Sequence, residues 1–250
     1  MQAEAVASRA HGSLRCVEQR SMTALIIGDS GIAHGIAHAI AAGTLAQNRA
    51  VVALTDTDVL DDPELAARAL ALLIGDESVE LVVFAHLDPT GFVSAALTDV
   101  TEQAWDQACE RSLRQAFVAL QQVYSLVADG TPVVVVLPNV GAVGVAGLVP
   151  LCSAVEGIRV MAKAVARRWG ARSITVNTIE VDLATFMLGG ADDPEAAALL
   201  PRVPVLGAPA LPVAPILDDV MGLIGFFASP AGQAVTGAFL MADRGTVMLP

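Results

Sequence analysis

Apolar positions along the chain fall into two alternating patterns. Short runs with almost no polar residue (Thr23 to Ile27, Ala50 to Leu54, Val79 to Phe84 and Pro132 to Leu137) have the composition of strands buried on both faces of a parallel sheet. Between them lie stretches in which apolar residues recur every three or four positions, as in helices that cover one face of such a sheet. Pro63 to Ile74 is a short example. Asp99 to Ala128 is a long one: Thr101 and Gln103 form a capping signal, and Trp105, Cys109, Leu113, Phe117 and Leu120 form the stripe. A Gly/Ala/Val connection after Leu137 leads to another long helix that opens near Ser153. Ile174 to Ile179 then reads as a strand, Ile216 to Ser229 as an amphipathic helix, and the run from Gly232 to Gly245 as the closing strand. One alternating rhythm over 250 residues predicts a single α/β domain built on a doubly wound parallel sheet.

Composition narrows the function. A hydrophobic content of 54% with 16% charged residues implies extensive burial in the core and in subunit contacts. The formal charge of −12 argues against nucleic acid or an anionic membrane as partner, since both need a basic face. No charge falls between Asp129 and Glu156, but Pro132, Pro138, Asn139, Pro150 and the glycines from Gly141 to Gly147 would break a spanning helix there. A strand and a buried loop account for that run. Three widely spaced cysteines, Cys16, Cys109 and Cys152, suggest idle thiols in a reducing cytoplasm rather than disulfides or a zinc cluster. Residues 1–21 lack the apolar core of a secretory signal and read as an extension ahead of the domain at 22–250.

Candidate chemistry begins after the first strand. Thr23 to Ile27 runs into GDSGIAHGIAHAIAAG, a glycine-rich turn opening a helix, with Gly28, Gly31 and Gly35 in it. Such a turn can cradle a pyrophosphate at the helix N-terminus, and an acid at the end of the second strand, here Asp56, can hold an adenosine ribose and favour NAD over NADP. Two features oppose a working cradle. Ala33 and Ala37 stand where close-approach glycines would serve, and Asp29 brings a carboxylate toward the phosphates. Asp56 also belongs to DTDVLDDPE, which reads equally well as a solvated capping loop. His34 and His38 share a helix face at metal-grip spacing, but no third ligand suggests itself nearby, so no metal is expected. His86 stands alone and reads as a hydrogen-bonded structural residue. Arg167, Arg168 and Arg172 form a small basic cluster at a helix C-terminus, where positive side chains are favoured anyway.

In order and spacing, Thr131 to Gly170 resembles the strand, active-site loop and helix of the short-chain dehydrogenase/reductase family. GIAHGIA resembles the glycine loop of that family's enoyl reductases, Trp105 and its helix have their counterpart there, and so do Asn177, Asp243 and Gly245. The resemblance implies a Rossmann-like domain with a lid region around 183–214. The short path from Asp56 to Val79 implies the loss of one edge strand of the usual sheet. The family's catalytic set falls on Ser112, Pro138, Leu151 and Val155, and its Asn-Asn-Ala-Gly tetrapeptide on Phe84, Ala85, His86 and Leu87. Independently of register, the single tyrosine, Tyr124, and the single lysine, Lys163, lie 39 residues apart, so the family's Tyr-x-x-x-Lys pair is absent.

That reading leads to an expectation of a non-catalytic subunit. The catalytic positions are vacated, Gly28, Gly31, Gly35 and Asp56 are the remnant of a cofactor loop, and the chain itself binds no cofactor. It would assemble with a catalytic, NAD-carrying family member in a hetero-oligomer, expected as a heterotetramer, of the kind implied by paired hydroxyacyl-CoA dehydrogenases of aromatic degradation. Two other readings stay open: a sensor that binds a nucleotide or acyl-CoA, and an enzyme of non-redox chemistry built around His86 or His34.

Overall fold

The computed structural model describes residues 23–45, 49–189, 198, 200–201, 208–212 and 216–248. Six parallel strands form one sheet in the order β2-β1-β3-β4-β5-β6. They are β1 (Thr23–Ile27), β2 (Ala50–Leu54), β3 (Val79–Phe84), β4 (Pro132–Pro138), β5 (Thr175–Val181) and β6 (Phe239–Met241). The apolar runs are buried on both faces as their composition requires: every residue of β1, β2, β4 and β5 is buried. β2 forms one edge, and its connection to β3 consists of a 3-10 turn, Thr57–Asp61, and a single helix, α2 (Pro63–Ile74). This is the single-domain α/β Rossmann-like sheet expected, one strand short at the β2 side.

Helix α1 (Gly31–Ala41) starts at Ser30, whose hydroxyl caps Ala33 N, and buries Ile32, Ala33, Ile36, Ala37 and Ile40 against the sheet. Asp62 caps α2 through Glu64 N and Leu65 N, with Pro63 in the first turn. The long helix expected over Asp99 to Ala128 is broken in register. A short α3 (Glu102–Trp105) passes into a π-turn, Asp106–Arg111, and then into α4 (Ser112–Leu126). A π-turn adds a residue to the helical turn, so the single 3.6-residue stripe drawn through Trp105 and Leu120 does not hold across it.

After β4 comes a single turn, α5 (Val140–Val143), then α6 (Val149–Trp169). α6 opens four residues before Ser153, with Pro150 in its first turn, a position where the missing N–H costs nothing. α4 and α6 pack together, and a Cβ on Gly157 would lie 2.5 Å from Leu113 Cδ2, so Gly157 leaves the room that the Leu113 side chain fills. β4 and β5 pair along their full length, from Pro132 with Thr175 to Pro138 with Val181. Asp182 caps α7 (Leu183–Leu188), and α8 (Ile216–Phe227) packs beside α1. Most of the region expected as a lid, and the extension at 1–21 with Cys16, lie outside the described residues. Among the described residues no helix is long and apolar enough to cross a membrane.

Candidate functional site

Parallel sheets bind ligands beyond the carboxyl ends of their strands, and here two polar clusters lie there. The first joins the ends of β1, β2 and β3. Gly28 turns the chain at φ +149°, and a Cβ at that place would sit 2.2 Å from the carbonyl oxygen of Ala85, so only glycine fits. Gly28 N donates to Leu54 O at 3.0 Å and Ser30 Oγ to Ala85 O at 2.7 Å, tying the turn to both neighbouring strands. Asp56, half-buried, sits at the head of the 3-10 turn after β2. The sequence reading left out what surrounds Asp29. Its Oδ1 lies 2.7 Å from Nδ1 of His86, and its Oδ2 accepts from Thr57 Oγ1 at 3.4 Å. Burial by itself would raise the Asp29 carboxyl, but the hydrogen bond and charge of His86 outweigh it and hold the group below its ordinary range.

Gly31 and Gly35 serve a contact that their spacing did not reveal. A Cβ on Gly31 would lie 2.2 Å from Met187 O, and one on Gly35 would lie 3.1 Å from Gly189 O. The C-terminal turn of α7 is thus seated directly on the first turns of α1.

The second cluster lies beyond β4, β5 and β6. Asn139 Nδ2 donates to Asp243 Oδ2 at 2.9 Å, and Asp243 also accepts from Gly245 N and Val247 N. Glu180 is fully buried, with neither carboxyl oxygen hydrogen-bonded, and Arg159 Nε lies 3.9 Å from Oε1. Burial is the main cause that pushes the Glu180 carboxyl up to about 8; Arg159 pulls against it, while Glu156 and Asp243 add to it. Arg159 also pairs with Glu156 Oε2 and stacks on the ring of Phe239 at 4.8 Å.

The four positions assigned to the family's catalytic set are all at this end of the sheet, and all are buried. Ser112 Oγ accepts from Asp88 N and donates to Ala108 O, each at 2.9 Å. Pro138 ends β4, while Leu151 and Val155 are fully buried in the core. The neighbouring pair one residue on is the one along the loop after β4. Cys152 Sγ donates to Val140 O at 3.3 Å, and Glu156 Oε1 lies against Gly141 with no hydrogen-bond partner. Cys152 and Glu156 repeat the four-residue spacing and end beside Gly157, which is the signal that could have singled them out.

The remaining candidates lie elsewhere. His34 and His38 are exposed on α1, and among the described residues no three His, Cys, Asp or Glu groups are placed to hold a metal. Arg172 donates to Asp129 and to the carbonyls of Tyr124 and Val127, as a helix-end cation does. A cavity of about 470 Å³ lined by Leu45, Arg49, Met221 and Gly225 lies at the amino end of β2, away from both clusters.

A parallel Rossmann-like sheet with a glycine turn after β1 and an acid at the end of β2 has the form of a dinucleotide-binding protein. The family model described as enoyl-(acyl carrier protein) reductase matches residues 81–247, more than half of the chain, and the chain belongs to this family of short-chain dehydrogenases/reductases. A D-threitol dehydrogenase from Mycolicibacterium smegmatis is 29% identical over 155 residues, which are 60% of this chain and 57% of that enzyme. The chain therefore matches little more than half the length of that relative. Among solved structures, a dehydrogenase/reductase from Sinorhizobium meliloti has a TM-score of 0.69 at 21% identity, covering 92% of this chain and 96% of its own. A short-chain dehydrogenase from Burkholderia cenocepacia in complex with NADP has 0.68 at 22%, covering 91% and 98%. A blue fluorescent protein from a metagenomic library in complex with NADPH has 0.67 at 22%, covering 93% and 100%.

These findings overturn the expectation of a non-catalytic subunit that leaves the cofactor to a partner. The matched family is one of reductases, the sequence relative is a dehydrogenase, and two of the similar folds were solved holding NADP or NADPH. The physical ground for that expectation also weakens. Asp29 is not a bare carboxylate in the cradle, since His86 offsets it, and the vacated positions are not the only chemistry at the carboxyl ends of the strands.

Proposed function

We propose that the chain is an oxidoreductase that uses a nicotinamide dinucleotide, NAD(H) rather than NADP(H), on an alcohol or carbonyl substrate. The observation that carries this reading is the half-buried Asp56 at the carboxyl end of β2, beside the turn at Gly28 and the capped N-terminus of α1. Gly28 is required by the close pass of Ala85 O, and what favours a phosphate here is the first turn of an eleven-residue helix. Gly28, Ser30 and the head of α1 would face the pyrophosphate, and Asp56 the adenosine ribose, with Gly31 and Gly35 setting how closely α7 approaches. When bound, the cofactor supplies or accepts the hydride.

The chain's own part is to handle the proton. Ser112, Pro138, Leu151 and Val155 take no part in that: three lack an exchangeable side-chain proton, and the hydroxyl of Ser112 is engaged on both sides. Glu156 is the ionisable group that fits the task. It is part-exposed, with Oε1 buried and without a hydrogen-bond partner and Oε2 paired with Arg159, so Oε2 is the oxygen left to take a proton. In the oxidative direction its carboxylate takes the hydroxyl proton as the hydride leaves.

The test is a titration of the purified chain with NADH, followed by fluorescence, and turnover trials with D-threitol and with a short enoyl thioester. D-threitol is chosen because it names the substrate of the sequence relative, and the thioester because the family model is one of enoyl reductases. NADH binding together with turnover of either probe is the expected result. A chain that binds neither NADH nor NADPH would sink the reading.

A further inference from the structure

We propose that Asp29, held by His86, is a second carboxylate facing the adenosine ribose and makes the chain discriminate against NADP(H). The inference rests on the reading of the chain as a nicotinamide-dependent enzyme and goes beyond it, because Asp56 alone would be the ordinary ribose acid of such a fold.

The position comes from the bonds around Asp29. It directly follows Gly28 at the end of β1, and its Oδ2 reaches Thr57, the residue after Asp56, at 3.4 Å. Asp29 therefore bridges the ends of β1 and β2, with its side chain 38% exposed. Two carboxylates, Asp29 and Asp56, thus stand at the adjacent ends of β1 and β2.

The orientation of His86 follows from its partners. Gln115 Nε2 lies 3.2 Å from Thr57 O and 3.0 Å from Asp61 Oδ1, and only an amide nitrogen satisfies two acceptors. That fixes Gln115 Oε1 toward His86 Nε2, at 2.7 Å. The other ring nitrogen, Nδ1, faces the Asp29 carboxylate at 2.7 Å. His86 is thus bonded at both ring nitrogens, to Asp29 on one side and Gln115 on the other, and is 1% exposed.

The other neighbours are accounted for. The ring edge of Phe84 packs at a centroid distance of 6.4 Å. Asp61 acts through Gln115, and Arg111 in turn engages Asp58, Asp61 and Asp88. His86 is thus the positioning residue that offsets Asp29. With it, an acid can stand beside an anion cradle and still accept a ribose hydroxyl; a ribose 2′-phosphate would meet Asp29 and Asp56 together.

The experiment measures dissociation constants for NADH and NADPH, by fluorescence titration at fixed ionic strength, on wild type, Asp29→Asn and His86→Gln. Wild type is expected to favour NADH. Asp29→Asn keeps the shape and removes the charge, so NADPH affinity should rise about tenfold or more while NADH changes little. His86→Gln leaves Asp29 unopposed and should weaken both dinucleotides, NADPH the more; a melting curve confirms that it is folded, and the Asp29→Asn result decides the matter if it is not. An unchanged NADPH-to-NADH ratio in Asp29→Asn, with wild type binding NADH, overturns this inference alone. If wild type binds neither dinucleotide, the proposed function falls and takes this inference with it.

Discussion

Gly31 and Gly189 meet backbone against backbone: a Cβ on Gly189 would lie 2.1 Å from the carbonyl oxygen of Gly31. Gly189 sits in the left-handed region at φ +63°, ending α7, and the contact sets the turn of α7 on the head of α1, where the cofactor's phosphates are proposed to bind. α7 and the dinucleotide then approach the same helix end. Gly189→Ala adds about 1–2 kcal/mol of backbone strain as well as the clash, and it should unseat α7. The expected result is faster hydrogen exchange at 183–189 and faster NADH association in stopped flow, with the strands β1 and β3 still protected. Unchanged exchange at 183–189 would show that α7 is not held by this contact.

Glu180 should make stability depend on pH. Its folded value of about 8 lies well above the ordinary glutamate range, because burial disfavours the charged form. Between roughly pH 5 and 8 the unfolded chain has released this proton and the folded chain still holds it, so from this group stability falls as pH rises, by about 1.4 kcal/mol per pH unit. Below that window both states are protonated and the effect vanishes. Glu180→Gln, neutral at every pH, should melt near wild type at pH 5 and clearly higher at pH 8. A Tm difference that is the same at both pH values would argue against a protonated Glu180.

What the sequence shows and hides divides along a physical line. β1, β2 and β3 were legible to the residue, because strands buried on both faces are nearly continuous apolar runs, with only Thr23 and Glu80 polar among them. The π-turn at 106–111 was not, since no glycine or proline marks it; the extra residue shifts the stripe and leaves Phe117 exposed. Nor was the opening of α6: Pro150 looks like a helix breaker until it is seen to occupy the first turn. The glycine turn at Gly28 and the place of Asp56 after β2 were legible from a local pattern. The Asp29–His86 bond joins residues 57 apart, and the register that gave Leu151 and Val155 hides Cys152 and Glu156 one position on. Contacts made through the fold, not along the chain, are what a single sequence withholds.

Ser112 separates a structural role from a catalytic one. Its hydroxyl joins Asp88 N to Ala108 O at the end of the π-turn, inside a fully buried site. Ser112→Ala leaves the Asp88 N–H without its acceptor and should lower stability by about 1–3 kcal/mol, read from denaturant unfolding. Turnover at a temperature where the variant is fully folded should stay within a few-fold of wild type. A loss of turnover with unchanged stability would instead put Ser112 in contact with the reacting groups.

The choice of Glu156 over Cys152 as the proton acceptor follows from what each side chain already does. Burial pushes the Cys152 thiol up, and it donates its proton to Val140 O, so it stays a thiol and is a poor base. Glu156 has Oε1 buried against Gly141 and Oε2 held by Arg159, so a substrate hydroxyl would meet it at Oε2 and share that oxygen with Arg159. Glu156→Gln removes the base and keeps the shape. Turnover should fall roughly a hundredfold to ten-thousandfold, while the NADH dissociation constant stays close to wild type, since general base catalysis acts in the transition state. Cys152→Ala should keep most of the activity. The opposite pattern, an active Glu156→Gln and an inactive Cys152→Ala, would move the proton to the thiol; a parallel loss of NADH binding in Glu156→Gln would mean that Glu156 holds the cofactor rather than the proton.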